Sequence, residues 1–327
     1  MSLWKLRLSI IGTLAALIGL STLFFAAILH LSGLVNLASL SGLSVLIGLV
    51  VAFNLLQWLV APYMIDAMYR VREADRSRYG RLYSMVEGLC RKMRLKVPKL
   101  MIADLPVPNA FAYGSPLTGN RVAITTALLR ELEEEEVEAV IGHELGHLKH
   151  RDVQVMMLAS VLPAIFYIIG YSLMWRSLLG YRSEGERSAG LAALVGLASM
   201  AIYWLLSLLV LHLSRLREYY ADRRSATTVE DGARKLSEAL AKIVFSSSRA
   251  RIRSGDQGLS AFKTLFIEDP DRAPSDALLL SSYRVKSDEE LVRSILSRRI
   301  TWADRIAELF STHPNIVKRL RALQELR

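Results

Sequence analysis

Charge-free blocks dominate the pattern along this chain. From Leu8 to Ile65 there is no Asp, Glu, Lys or Arg. A bilayer core takes roughly 20 apolar residues per helix, so this run predicts two crossings joined by a turn near Ser32-Gly33 or Asn36. A cleaved signal peptide is a poorer reading, because the first apolar part exceeds a usual signal core and a second span follows at once. Val153 to Trp175 and Ser188 to Ser214 are also free of charge, and the charged connection Arg176 to Arg187 makes them a second hairpin. The rival reading of that hairpin is burial inside a large soluble core.

The remaining stretches read as soluble. Leu82, Met85, Val86, Leu89 and Met93 recur at helical spacing. Lys99 to Ala103 and Arg121 to Thr125 favour strands, with Pro106, Pro108 and the turn-prone Gly114-Ser115-Pro116 between them. Glu131 to His150 begins with acids and ends with Lys149, His150 and Arg151, which matches a helix dipole at both ends. Val229 to Phe245 is helical by spacing, whereas Ser246 to Ser254, with arginines set among serines, reads as a flexible or membrane-surface loop. Helical fragments with breaks at Pro270 and Pro274 fill 255–297, and two helical pieces, Trp302 to Leu309 and Pro314 to Leu326, close the chain. The expected fold is mainly α with a small β-sheet. Its expected divisions are a membrane hairpin (1–65), a first soluble part (66–152), a second hairpin (153–214) and a second soluble part (215–327).

Composition agrees with a membrane protein: 52% of the 327 residues are hydrophobic, and the mean hydropathy is +0.29. The net charge of +10 suits basic segments against anionic lipid better than nucleic acid, because no aromatic-basic binding motif accompanies it. Lys5 and Arg7 precede the first span, and Arg70, Arg72, Arg76, Arg78 and Arg81 follow the second, so both ends of the first hairpin are expected in the cytoplasm. Arg176, Arg182 and Arg187 then fall outside, against that tendency. His30 reads as an interfacial residue. A lone cysteine, Cys90, excludes a disulfide framework and a cysteine-built metal site, and its place in the apolar stripe marks it as a core residue.

Chemistry concentrates at His143-Glu144-Leu145-Gly146-His147. Residues four apart share a helix face, so two imidazoles can hold one zinc ion while Glu144 reaches a water molecule. His150 lies about 10 Å further along the axis from His143, too far to share the metal. The spacing that would supply a third histidine in some other zinc proteases is absent here. A third ligand has to come from elsewhere. Ser214 to Arg223 leaves the fourth span, and a helix continuing through it puts Glu218 and Asp222 on one face near the bilayer surface. The helix of His143 enters the third span at that same surface. Glu218 is therefore the candidate third ligand, and two histidines with one glutamate leave a position for water, as a catalytic zinc requires.

The motifs Asn109-Ala110-Phe111-Ala112, His143 to Asp152, Arg217 to Asp222 and Thr312-His313-Pro314, taken together, resemble those of the HtpX-like membrane metalloproteases. That group belongs to the broader M48 peptidase family, which also includes the prenyl-protein processing proteases. The resemblance covers most of the chain. It implies a zincin-like protease domain on four transmembrane helices, with zinc as cofactor and the active site at the cytoplasmic membrane surface. The expected substrates are misfolded or damaged membrane proteins, in a role of quality control under stress. It also implies that His313 helps to stabilise the oxyanion, that Arg319 pairs with Asp222, and that Asp222 orients a ligand histidine. A turn or cap is the competing reading of His313.

The expected reaction is peptide hydrolysis, with Glu144 taking a proton from the attacking water and returning it to the leaving amine. An extended substrate is expected to add to a sheet edge at Arg121 to Thr125, with Asn109 as a secondary contact. The competing functions are a prenyl-protein processing protease, which needs a larger chamber than four spans build, and a non-catalytic scaffold with a structural zinc.

Overall fold

The computed structural model describes residues 37–178, 186–254 and 287–326. The first predicted span, its turn, His30, Arg182 and the Pro270 and Pro274 breaks lie outside the described residues. In chain order the elements are α1 (Leu37–Met68), β1 (Val71–Glu73), α2 (Gly80–Met93), β2 (Lys99–Ala103), β3 (Ala110–Ser115), β4 (Gly119–Thr125), α3 (Leu128–Glu131) and α4 (Glu134–Lys149). There follow α5 (Asp152–Leu178), α6 (Glu186–Thr228), α7 (Gly232–Ser254), α8 (Asp288–Leu296), α9 (Trp302–Leu309) and α10 (Ile316–Gln324). The described residues form two compact units, one from 59–153, 214–254 and 287–326, the other from 37–58, 154–178 and 186–213.

In the first unit the sheet has the order β1-β2-β4-β3. β2 and β4 run parallel, with Lys99 opposite Arg121, while β1 and β3 flank them antiparallel. β4 is thus an interior strand, paired on both sides. This overturns the expectation that Arg121 to Thr125 is an edge: the segment between the two expected strands, read as a loop from its prolines, itself pairs as β3 and takes the outer place. Pro106 and Pro108 end before Ala110, so neither removes a ladder donor. Gly114 and Gly119, both at positive φ, close the β3–β4 turn.

One sheet face carries the main core. Val86, Leu89 and Cys90 of α2, Leu100, Val122 and Ile124 of the sheet, Val140, Ile141 and Leu145 of α4, and Leu236, Leu240 and Leu320 are buried together. The other face packs Met101, Phe111, Tyr113 and Ala123 against Ile65 and Tyr69, at the end of α1. Asp66 fixes that junction by accepting a hydrogen bond from the Tyr113 hydroxyl at 2.6 Å and pairing with Arg121.

α4 is defined at both ends. The Glu133 N–H donates to Glu136 Oε2 at 2.7 Å, and His150 closes the helix, its Nδ1 lying 2.9 Å from the Gly146 carbonyl oxygen. Glu136 also meets Lys242 of α7 at 2.8 Å, and Lys242 meets Asp288 at 2.9 Å, so the acidic run caps and ties the helix. α4 and α6 approach closely at two glycines one turn apart. A Cβ on Gly142 would lie 3.0 Å from Ser225 Oγ, and one on Gly146 would lie 3.1 Å from the Ala221 Cα. Ser225 seals the contact by donating to the Ala139 carbonyl at 2.6 Å.

α7 runs on to Ser254, which corrects the loop reading of 246–254. Its serines and arginines include no breaker before Gly255, and helix propensity among them is adequate.

The second unit contains most of α5 and the first part of α6. Phe166, Leu206 and Leu213 are buried between them, and Gly170 and Gly196 let the backbones meet, since a Cβ on Gly170 would lie 3.0 Å from the Gly196 oxygen. Leu158, Leu191, Leu194, Leu197 and Trp204 face outward. Among the described residues two helices, Asp152–Tyr171 and Gly190–Thr228, are long and apolar enough to cross a membrane.

Replacing Gly142 with valine should lower stability by about 1–3 kcal/mol, because the added methyls meet Ser225 and Val229. Thermal unfolding in detergent reads this as a lower Tm. An unchanged Tm would remove the close approach as a constraint.

Candidate metal centre

The spacing of the glycines sets the spacing of the chemistry. With Gly146 against Ala221, the next faces of α4 and α6 bring His143 and His147 to Glu218 and Asp222. The two imidazole Nε2 atoms are 3.1 Å apart and the rings meet edge to face. Glu218 Oε2 lies 3.5 Å from His143 Nε2, and its Oε1 lies 3.5 Å from His147 Nε2. One ligand atom from each of the three residues falls within 4.8 Å of the others.

Each histidine has its own carboxylate behind it. His143 Nδ1 is 2.9 Å from Asp222 Oδ1, an ion-pair contact whose alignment falls short of a hydrogen bond. Asp222 is gripped by both ends of the Arg319 guanidinium, with Nε at 2.9 Å and a terminal nitrogen at 2.6 Å. His147 Nδ1 is 2.7 Å from Asp152 Oδ2, and Asp152 pairs in turn with Arg217. Arg217 also donates to the His150 carbonyl at 3.0 Å. The site therefore contains two parallel relays of arginine, aspartate and histidine, one for each ring.

The two rings are nonetheless tuned in opposite directions. Burial disfavours the cation at His143, but the neighbouring carboxylates of Asp222 and Glu218 outweigh it and carry its pKa up to about 10. Burial dominates at His147 and lowers its pKa, with His143 and Arg217 adding to the shift against Glu218 and Glu144. A metal ligand has to be a neutral imidazole, so both rings would be neutral in a loaded site. Burial raises the Glu144 pKa against the pull of both histidines and of the Ala112 N–H of β3, which lower it.

The remaining candidates fall in the same place or beside it. His313 Nε2 is 3.6 Å from Glu218 Oε1, and its Nδ1 is 2.9 Å from Thr312 Oγ1. Arg319 reaches Glu218 Oε2 at 3.4 Å as well as holding Asp222. Asn109 stands at the start of β3, where its N–H donates to Thr125 Oγ1 at 2.9 Å and its carbonyl accepts from the Thr125 N–H. His150 stacks edge to face on Tyr220 and stays out of the ligand set. Sequence reasoning left Asp152 and Arg217 without a role. Both border charge-free membrane-length runs, and a carboxylate and a cation placed there together were the available signal.

The donor set fits a divalent metal. Glu218 Oε2 is buried with no hydrogen-bond partner, a cost that the Arg319 guanidinium at 3.4 Å offsets in part; the carboxylate still faces both imidazole nitrogens, where a divalent ion would complete its coordination. Two imidazoles and one carboxylate, with the Glu144 carboxylate on the same helix, are a donor set of the kind a metallopeptidase uses. Comparison with known proteins reaches the same class: the family described as "Peptidase family M48" matches residues 76–327, and the chain belongs to that family. Among its relatives, a "Protease HtpX homolog" of Thermoplasma acidophilum is 36% identical over 283 residues, covering 85% of this chain and 83% of that protein. Another from Aeropyrum pernix is 39% identical over 280 residues, covering 84% of each. The crystal structure of S. mikatae Ste24p shares the fold with a TM-score of 0.53 at 14% identity, over 98% of this chain and 66% of that one.

Asp152→Asn and Asp222→Asn should each weaken metal binding by roughly 10–100-fold, because each removes the group that orients a ligand ring. Competition with a chromogenic chelator measures this. Undiminished affinity in either variant would show that its relay does not position the ring.

Proposed function

We propose that this metallopeptidase is a multi-pass membrane zinc endopeptidase that hydrolyses misfolded or damaged membrane proteins at the cytoplasmic membrane surface. The observation that carries the reading is the buried Glu218 carboxylate, whose Oε2 and Oε1 each lie 3.5 Å from the Nε2 of one imidazole. The proposed divisions keep the expected order: membrane hairpins at 1–65 and 153–214, and a protease domain assembled from 66–152 and 215–327. The HtpX homologues support protease activity in a chain of this length. The arginines after residue 69 support a cytoplasmic site.

His143, His147 and Glu218 would hold the zinc, which supplies Lewis acidity to a carbonyl and a water molecule when bound. Glu144 is the proton carrier. Its raised pKa suits a group that first accepts a proton from water and then gives it to the departing amine. His313, beside Glu218, is placed to donate to the developing oxyanion. Asp222 with Arg319, and Asp152 with Arg217, hold the ligand rings. Substrate recognition moves from β4 to β3, the outer strand, whose Ala112 N–H helps to set the Glu144 pKa. An extended chain laid along that edge would be read by its backbone, which favours unfolded segments over a fixed sequence. Asn109 anchors the start of the strand through Thr125.

The deciding experiment is metal content together with chelator-sensitive cleavage of casein in detergent. Glu144→Gln should keep its zinc and lose activity by about 10²–10⁴-fold, whereas Glu218→Ala should lose the metal itself. Normal cleavage by Glu144→Gln would sink the catalytic assignment, and a fully zinc-loaded Glu218→Ala would sink the ligand set.

A further inference from the structure

α9 is built inside out. At about 100° per residue, Trp302, Ile306, Leu309 and Phe310 fall within one arc of roughly 100°, with Asp304 and Glu308 opposite. In a soluble protein the apolar arc would face the core. Here Trp302 is 77% exposed, Ile306 38%, Leu309 49% and Phe310 59%, whereas Glu308 is buried. The polar groups are engaged: Asp304 Oδ2 caps the start of the helix by accepting from the Thr301 N–H at 2.8 Å, and buried Glu308 accepts from the Asn315 N–H at 3.2 Å and pairs with Lys318. Among the described residues the apolar face is left largely open.

A second observation sets the height of that face. Arg215, buried, donates to the carbonyls of Glu308 at 2.7 Å, Leu309 at 3.3 Å and Ser311 at 2.7 Å. It thereby caps the end of α9 with a cation, as a helix C-terminus favours. Arg215 is also the first charged residue after the charge-free run 188–214. The end of α9 is therefore clamped to the point where α6 ceases to be apolar. Arg299 and Arg305, both exposed, add positive charge beside the apolar arc. Tyr63, Met64 and Met68, at the end of α1, are exposed in the same unit.

We propose that α9 is an interfacial helix that lies in the anionic surface of the bilayer, with Trp302, Ile306, Leu309 and Phe310 among the acyl chains and Arg299 and Arg305 among the headgroups. This rests on the reading that α5 and α6 cross the membrane. α9 leads directly into Ser311-Thr312-His313, so its contact with lipid fixes the segment that carries His313 beside Glu218.

The full chain with Cys90→Ala, shown to retain its metal, is given single cysteines at 306, 310, 194 and 134. These are labelled with bimane and reconstituted in phosphatidylcholine vesicles with and without phosphatidylglycerol. Doxyl lipids and aqueous iodide are the quenchers. Labels at 306 and 310 should lose fluorescence to shallow doxyl groups and resist iodide, with the lipid quenching reduced when phosphatidylglycerol is omitted or when Arg299→Glu and Arg305→Glu are combined. Position 194 should respond to deep doxyl lipid, and 134, at the start of α4, to iodide alone. Iodide quenching at 306 and 310 with lipid quenching kept at 194 overturns the inference and leaves the membrane reading standing. Loss of lipid quenching at 194 overturns the membrane reading itself. Protection of 306 and 310 from both quenchers means that protein covers the face, a second copy or a bound substrate, and also overturns the inference.

Discussion

The site depends on how closely two helices can approach. Helices packed through ordinary side chains lie about 8–10 Å apart. Gly142 and Gly146 remove the intervening side chains from one face of α4, and Ala221 and Ser225 keep the facing surface of α6 small. Backbone contact then substitutes for packing volume, and the longer polar side chains on either side of it meet at ligand distance. The glycine inside His-Glu-Leu-Gly-His is thus as much a part of the metal centre as the residues that touch the ion.

Charge follows from that approach. Three carboxylates, from Glu218, Asp222 and Asp152, are buried around two imidazoles, and each aspartate is countered by an arginine that also fixes another element. Arg319 joins α10 to α6, and Arg217 joins α6 to the end of α4 and the start of α5. Buried ion pairs of this kind contribute little net stability, because desolvation offsets attraction, but removing one partner strands the other. Their value here is geometric: the same contacts that neutralise the site hold its ligands in register.

Much of this was legible in the sequence because it depended on local periodicity. The four-residue spacing of His143 and His147, the polarity of the α4 ends, and the helical continuation from Ser214 to Asp222 are properties of single helices, and all appear as expected. What escaped depended on pairing between distant segments. β1 is three residues long and acquires its identity only from β2. β3 was hidden by nearby prolines and glycines, so β4 was taken as an edge when two neighbours enclose it. The 246–254 segment misled through composition, since serine and arginine suit a loop but do not forbid a helix. Asp152 and Arg217 could be seen as charges at membrane boundaries, yet their joint hold on His147 exists only in three dimensions.

The lone thiol closes the account. Burial in the core beneath the sheet pushes the Cys90 thiol up to about 11, so at neutral pH it holds its proton. A thiolate would be the strongest internal rival to imidazole for a soft divalent ion and the first group to be oxidised. With that thiol sealed in the core, the candidate metal centre is made of nitrogen and oxygen donors alone, and none of them can be lost to a disulfide.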